Sequence, residues 1–93
     1  MNLWILDGHT PVEEPDIDAW GKWMVNANRH VAVTDVGPKR VSTVFLGTNH
    51  NFLGKGPPIL FETMVFPGCH LMDRYATWDE AAAGHERMVE RIS

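Results

Sequence analysis

Two apolar stretches decide the fold, Arg-Val-Ser-Thr-Val-Phe-Leu (residues 40–46) and Ile-Leu-Phe-Glu-Thr-Met-Val-Phe (residues 59–66). Both are rich in β-branched and aromatic residues, a composition typical of β-strands. Because side chains alternate between the two sides of a strand, each stretch carries large apolar residues on both sides. This pattern indicates central strands that are covered on both faces. We expect helices to cover one face and a second subunit to cover the other.

The flanking sequence predicts the remaining elements. Residues 3–6, 30–36 and 71–76 have the character of strands, and residues 9–14, which contain Pro11, are expected to form a loop. Pro15 suits a first helical position and predicts a helix over residues 15–27. Thr77 and Glu80 have the spacing of a capping box and predict a helix over residues 78–92. The expected fold is α+β, an antiparallel sheet of three to five strands with two helices packed on one face, in a single domain of residues 1–93.

Composition narrows the class of protein. The 93 residues carry a net charge of −4, with 44% apolar and 22% charged residues, which is typical of a folded globular domain. The single cysteine excludes a disulfide framework. We expect no membrane segment and no signal peptide, and therefore a protein of a reducing, cytosolic compartment. The acidic balance argues against binding to a nucleic-acid duplex.

Large aromatic residues are numerous for so small a domain, with four Trp, four Phe and one Tyr. Each can bury about 150–250 Å², and one small core has little room for all of them. We therefore expect self-association into a homo-oligomer or a pocket with aromatic walls. Partly exposed tryptophans in a monomer are the alternative.

The middle of the chain is cationic, with four basic residues and one acid between Arg29 and Lys55. Within it, residues 47–58 form a connection rich in Gly, Asn and Pro between the two apolar strands. We expect this connection to line a cleft with Arg40 and Lys55 at a cationic rim. Hydroxyls, amides and a lysine suit phosphate oxygens, and aromatic rings stack on bases. The candidate ligand contacts are Arg40, Thr43, Asn49, His50, Phe52, Lys55, Glu62 and Tyr75.

Catalytic and metal-binding patterns are weak. Glu62 lies within an apolar strand, so it is either a ligand contact or general base with His50 or His85, or a structural acid paired with Arg74 or Arg40. His85 falls on the apolar side of the last helix, where a hydrogen-bonded core histidine is the favoured interpretation. Cys69 beside His70 supports a zinc site only weakly. We expect no cofactor, no metal and no enzymatic activity.

The two apolar blocks, together with Arg-Tyr-Ala-Thr at residues 74–77, resemble a widespread family of small bacteriophage proteins over about residues 40–92. The pair Asn49-His50 departs from the Asp-His associated with that family. The chain is also similar to phage sponge proteins of the anti-CBASS type, which sequester cyclic oligonucleotide signals of bacterial antiphage defence. This resemblance implies a small, oligomeric, non-enzymatic protein in the cytoplasm of the infected host, and it assigns no individual residues.

We therefore predict immune evasion by sequestration of a small anionic nucleotide, a cyclic di- or trinucleotide, without cleavage. An inhibitor or adaptor that binds a host protein through the acidic residues 7–18 and exposed aromatics is the first alternative. A small hydrolase that uses Glu62 with His50 or His85 is the second.

Overall fold

The computed structural model describes residues 2–68 and 71–93 of the chain. The elements in chain order are β1 (Trp4–Asp7), β2 (Thr10–Glu13), α1 (Ile17–Asn26), β3 (His30–Val36), β4 (Lys39–Phe45), β5 (Phe61–Phe66), β6 (Met72–Tyr75) and α2 (Trp78–Ile92). Strands β3 to β6 form one antiparallel sheet in sequential order, and β1 pairs with β2 in a separate hairpin. The predicted α+β fold with an antiparallel sheet is confirmed.

Side-chain caps determine where both helices begin. The Thr77 hydroxyl accepts a hydrogen bond from the Glu80 amide at 3.1 Å and donates one to the Glu80 carboxylate at 3.0 Å. These two bonds satisfy polar groups of the first turn, and α2 begins at Trp78 as predicted. In α1, the Asp16 carboxylate accepts from the amides of Asp18 and Ala19. Asp16 is therefore the cap, and the helix begins two residues later than predicted.

Helix α2 packs across one face of the sheet and contacts all four of its strands. Alternate residues of the two central strands lie beneath it and are buried, namely Val41, Thr43 and Phe45 of β4 and Phe61, Thr63 and Val65 of β5. His85 of α2 contacts Thr43 on this covered face. The covered face of the sheet therefore contains the main core of the domain.

The N-terminal elements pack at the end of this same covered face. The Trp23 ring of α1 meets the Phe45 ring edge-on, with 5.7 Å between the ring centroids. The Trp4 amide of β1 and the Trp20 indole of α1 donate to the Gly47 carbonyl at 2.9 and 3.0 Å. At the β1–β2 turn, the His9 ring stacks on Trp78 at a centroid distance of 3.7 Å. The hairpin and both helices thus lie on one side of the sheet.

The opposite side of strands β3 to β6 is called the open face below. Its position follows from register, because Thr34 and Thr43 point to His85 and their chain neighbours must point away. Strand pairing then places Val33 beside Ser42, Ser42 beside Met64 and Met64 beside Met72.

The short strand β2 is a correction to the predicted loop over residues 9–14. Thr10–Glu13 pairs with β1, and Pro11 lies opposite Leu6. Proline lacks the amide donor of a strand ladder, so its presence argued against a strand, but an edge strand of a two-stranded hairpin accommodates it. Within the part of the chain that the structure describes, no helix has the length and apolar character needed to cross a membrane.

Candidate anion-binding site

The turn between β3 and β4 brings two cations next to each other at one end of the sheet. Val36 pairs with Lys39, which leaves Gly37 and Pro38 as a two-residue turn. Gly37 has a φ of 58°, a conformation that a side chain disfavours and that tight hairpins require. Lys39 and Arg40 follow at once, and both are exposed. The cationic pair is therefore presented by a short, constrained hairpin.

A depression of about 370 Å³ lies between this hairpin and the end of β5. Its volume is within the range of about 300–1,000 Å³ that small-molecule sites occupy. Phe66 is the neighbour of Arg40 in the strand ladder, and 41% of its surface remains exposed. The depression is lined by Asp35, Gly37, Pro38, Lys39, Arg40, Phe66 and Pro67. It thus combines two cations with one exposed aromatic ring.

One carboxylate shares the depression with the two cations. The Arg40 Nε atom lies 2.8 Å from Asp35 Oδ1, and the two side chains are 60% and 65% exposed. The hydrogen bond and the charge of Arg40 lower the pKa of Asp35, and Asp35 in turn raises the pKa of Arg40. Lys39 takes no part in this ion pair. The Arg40 guanidinium has five N–H donors and directs only two of its nitrogens to Asp35. A net positive charge therefore remains in the depression for an anionic ligand.

Thr43 and Tyr75 of the predicted ligand set lie on the covered face. Thr43 is fully buried, and its hydroxyl bonds to Thr63 and to His85 Nδ1. Tyr75 is half-buried against Gly84 of α2. Burial, and next the charge of Asp73, raise the pKa of Tyr75. Both side chains belong to the packing between α2 and the sheet, because strand alternation turns them towards the helix.

The predicted contacts in the connection are held by bonds within that connection. The Asn49 side-chain oxygen accepts from the amides of Asn51 and Ile59 at 2.8 and 3.0 Å. His50 bonds to the Thr48 hydroxyl at 3.1 Å. Phe52 is 82% exposed, and Lys55 is exposed as well. The connection is a surface loop that bonds to itself, to Ile59 and, through the Gly47 carbonyl, to Trp4 and Trp20. It lines none of the three depressions described here.

Arg40 and the connection stand at opposite ends of β4, which corrects the grouping expected from the sequence. Arg40 is the second residue of the strand, and the connection follows Phe45 at the other end. Phe45 is five positions beyond Arg40 along an extended strand, a distance of about 17 Å. Arg40 and Lys55 therefore do not form the rim of one cleft. Lys39 and Phe66 take the places that the sequence analysis assigned to Lys55 and Phe52.

Glu62 is paired with Arg74 on the open face. Arg74 is one of the two structural partners, Arg74 and Arg40, that the sequence analysis considered for this acid. The Arg74 Nε atom lies 2.9 Å from Glu62 Oε2 on the adjacent strand. The Glu62 side chain is 12% exposed, so its charge is compensated where it lies. His85 lies under α2 on the other side of the sheet, fully buried. The sheet therefore separates Glu62 from His85, and this acid–base pair is not assembled.

Two other depressions carry charged residues. One, of about 220 Å³, lies between β6 and α2 and is lined by Asp73, Arg87, Met88 and Arg91. The other, of about 270 Å³, is at the start of α2 and includes His9, Trp78 and Asp79. The first has no aromatic wall, and in the second the exposed faces of His9 and Trp78 already stack on each other. The depression at the β3–β4 turn therefore fits an aromatic anion better.

Metal ligands do not cluster in the described part of the chain. Among residues 2–68 and 71–93, no three His, Cys, Asp or Glu side chains are placed to hold a metal ion. The pair Cys69-His70 considered in the sequence analysis lies outside the described residues.

Comparisons of the chain with protein-family models, curated proteins and solved structures found no match. The function is therefore argued from the geometry of the depression.

Sequence reasoning missed Lys39 and Phe66 as members of one site. The signal was present in the short Gly37-Pro38 turn, which predicts a tight hairpin and hence the position of Lys39 at its tip. The register of β4 against β5, which puts Phe66 beside Arg40, depends on the length of the intervening connection and could not be determined from the pattern alone.

Proposed function

We propose that the protein is a non-catalytic binding protein that captures a small anionic nucleotide, of the cyclic di- or trinucleotide class, at the depression beside the β3–β4 turn. The observation that carries the proposal is that one depression is lined by Lys39, by Arg40 and by the partly exposed Phe66, which is the neighbour of Arg40 in the strand ladder. The cations suit phosphate oxygens, and the ring suits a base. No step of bond cleavage is needed, because sequestration depends on affinity and abundance.

The resemblance of residues 40–92 to small bacteriophage proteins gives this binding activity a biological setting. In the proposed role, the protein is made in the cytoplasm of an infected bacterium and removes a cyclic oligonucleotide signal of antiphage defence. In that role the protein would act as a homo-oligomer with one depression in each copy.

The test is a thermal-shift and calorimetric panel of cyclic di- and trinucleotides with three proteins, the wild type, Lys39→Glu and Lys55→Glu. Both variants reverse one exposed lysine, but only Lys39 lines the depression. We expect at least one nucleotide to stabilise the wild type, because a ligand at a hundredfold excess over Kd adds about 2.7 kcal/mol. We expect Lys39→Glu to weaken binding about tenfold or more and Lys55→Glu to leave it nearly unchanged.

Two results would contradict the proposal. One is the absence of any shift across the panel, and the other is loss of binding in Lys55→Glu but not in Lys39→Glu, which would return the site to the connection. The nucleotide is also recovered after incubation. We expect it intact, and cleavage would show that the protein is an enzyme.

Binding to a host protein is a second candidate, supported by the surface of residues 7–18. Asp7, Glu13, Asp16 and Asp18 are exposed there, beside the exposed apolar side chains of Val12 and Ile17. An acidic surface with apolar side chains suits a basic protein partner. A stoichiometric host protein that is recovered with the wild type, and lost when the four acids are neutralised, would favour this candidate.

A further inference from the structure

The described elements outside the sheet leave one of its faces bare. Helix α2 crosses the covered face, and α1 and the β1–β2 hairpin pack at the end of that same face. When a sheet carries apolar side chains on both faces, both faces are normally covered by other elements or by a partner. The open face is therefore the place where a covering layer would lie.

The open face carries apolar side chains on all four strands, and Ser42 of β4 interrupts their central row. Val33, Phe66 and Met72 are 47%, 41% and 43% exposed, and Val44 and Met64 are half-buried. Met64 pairs with Met72 on one side and with Ser42 on the other. Ser42 is the smallest residue of this row, so it leaves a shallow dip between Val33 and Met64. Large and small side chains that alternate across a sheet favour interdigitation with a second sheet.

The charges on this face are balanced, unlike those of the whole chain. Asp35 is paired with Arg40 near one end, and Glu62 is paired with Arg74 near the other. The face therefore has no net charge from these four residues, although the chain carries −4. The open face of a second copy would therefore meet little electrostatic repulsion here. Each charge pair presents one carboxylate and one guanidinium to the corresponding charges of the second copy. A strongly basic or acidic partner would gain nothing from such a surface.

The size of the face sets the expected strength of association. Four strands at about 4.8 Å spacing and about six residues in length give a sheet area of about 400 Å². A standard interface buries about 800 Å² on each partner, and smaller interfaces are weak. A face of about half that area predicts a weak dimer that dissociates on dilution.

We propose that the open face is a self-association surface, on which a second copy of this chain packs sheet against sheet about a two-fold axis. An isologous contact fits because the central row of Val33, Met64 and Met72 lies between the two charge pairs. The inference goes beyond the proposed nucleotide binding, since it concerns the protein without ligand. Arg40 and Phe66 border both the depression and this face, so ligand and second copy are expected to influence each other's binding.

The test is sedimentation velocity without ligand, from about 5 to about 300 µM protein, a range that suits weak association. It compares the wild type with Val33→Glu and Val25→Glu. Both variants replace an exposed valine by glutamate, but Val25 is on α1 and is 84% exposed, away from the open face. We expect the wild type and Val25→Glu to dimerise with rising concentration and Val33→Glu to remain a monomer.

Three outcomes would overturn the proposal, namely a wild type that is monomeric throughout, a Val33→Glu variant that dimerises normally, and a Val25→Glu variant that loses dimerisation. A monomeric wild type would show that a second copy does not cover the face. If Val33→Glu does not fold, as judged by circular dichroism, Met72→Glu on the edge strand β6 replaces it with the same expectation. Nucleotide binding by a strictly monomeric protein would sustain the proposed function and reject the dimer.

Discussion

The Nδ1 atom of His85 in α2 lies 2.7 Å from the hydroxyl oxygen of Thr43 at the centre of β4. The other ring nitrogen, Nε2, lies 2.9 Å from the Thr34 hydroxyl on β3. A neutral imidazole has one donor and one acceptor nitrogen, and the hydroxyls can serve as partner to either. Both polar atoms of a fully buried side chain are therefore satisfied, and they join α2 to two strands of the sheet.

The stability of the fold is expected to fall as the pH drops below about 6.5, the ordinary pKa of histidine. Burial lowers the pKa of His85, and the nearby charge of Glu86 opposes this only in part. The unfolded chain therefore binds a proton at a higher pH than the folded one does. The stabilisation is complete above the unfolded pKa and is lost as the pH falls towards the folded pKa, by at most about 1.4 kcal/mol per pH unit.

Urea denaturation, repeated between pH 8 and pH 5 in steps of about one pH unit, measures this loss of stability. His85→Gln provides the comparison, because it removes this titrating group and leaves the other histidines of the sequence in place. The wild type is expected to lose more stability than the variant on acidification. Parallel pH profiles would show that His85 does not carry the effect.

Replacement of Thr43 by valine is expected to lower the free energy of unfolding by about 1–3 kcal/mol. Valine has nearly the same shape, but it leaves His85 Nδ1 and the Thr63 hydroxyl without their shared partner. Thr43→Ser keeps the hydroxyl and loses one methyl group, at a cost of about 1 kcal/mol. Denaturant titration of both variants separates the two effects. A Thr43→Val protein as stable as the wild type would show that the hydroxyl chain contributes nothing.

Substitution of alanine for two glycines within helices is expected to change the stability of the protein in opposite directions. A Cβ at Gly84 would overlap the ring of Tyr75, because α2 approaches β6 closely at this point. Gly21 in α1 has open space around it, and alanine there gains about 0.5–1 kcal/mol of helix stability. Thermal melts should therefore place Gly84→Ala below the wild type and Gly21→Ala above it. The reverse order would contradict the close packing of α2 on Tyr75.

Neutralisation of Asp35 is expected to increase the affinity for an anionic nucleotide. Asp35→Asn removes the negative charge from the depression and releases the Arg40 guanidinium from its ion pair. Both changes favour a phosphate, so calorimetry should give a Kd several-fold lower than that of the wild type. Asp16→Asn serves as a control for the change in net charge, since Asp16 lies far along the chain at the start of α1. Unchanged or weaker binding by Asp35→Asn alone would argue against this depression.

Elements defined by local signals could be predicted from the sequence. The capping box of Thr77 and Glu80 determined the start of α2, and residues 30–36 were recognised as a strand with the observed bounds. The apolar position of His85 in α2 indicated a buried histidine, which the structure confirms. In each case the deciding residues lie within a few positions of one another along the chain.

The candidate site could not be predicted because it depends on long-range register. Arg40 and Phe66 are 26 positions apart and become neighbours only when β4 pairs with β5 in the observed register. Thr43 looked like a possible ligand contact because alternation does not say which face a helix will cover. Lys55 and Phe52 were expected to line a cleft, but the internal bonds of Asn49 and Asn51 that fold the connection onto itself leave no signature in composition.

The location of nucleotide binding is tested most directly by ¹H–¹⁵N correlation spectra of the labelled protein, recorded while a cyclic di- or trinucleotide that shifts its melting temperature is added. The largest changes are predicted at the amides of Asp35, Lys39, Arg40 and Phe66, which line the depression. The amides of Asn49, Phe52 and Lys55 at the far end of β4 should change little. Changes confined to those three residues, or spectra that do not respond to the nucleotide, would contradict the assignment of the site.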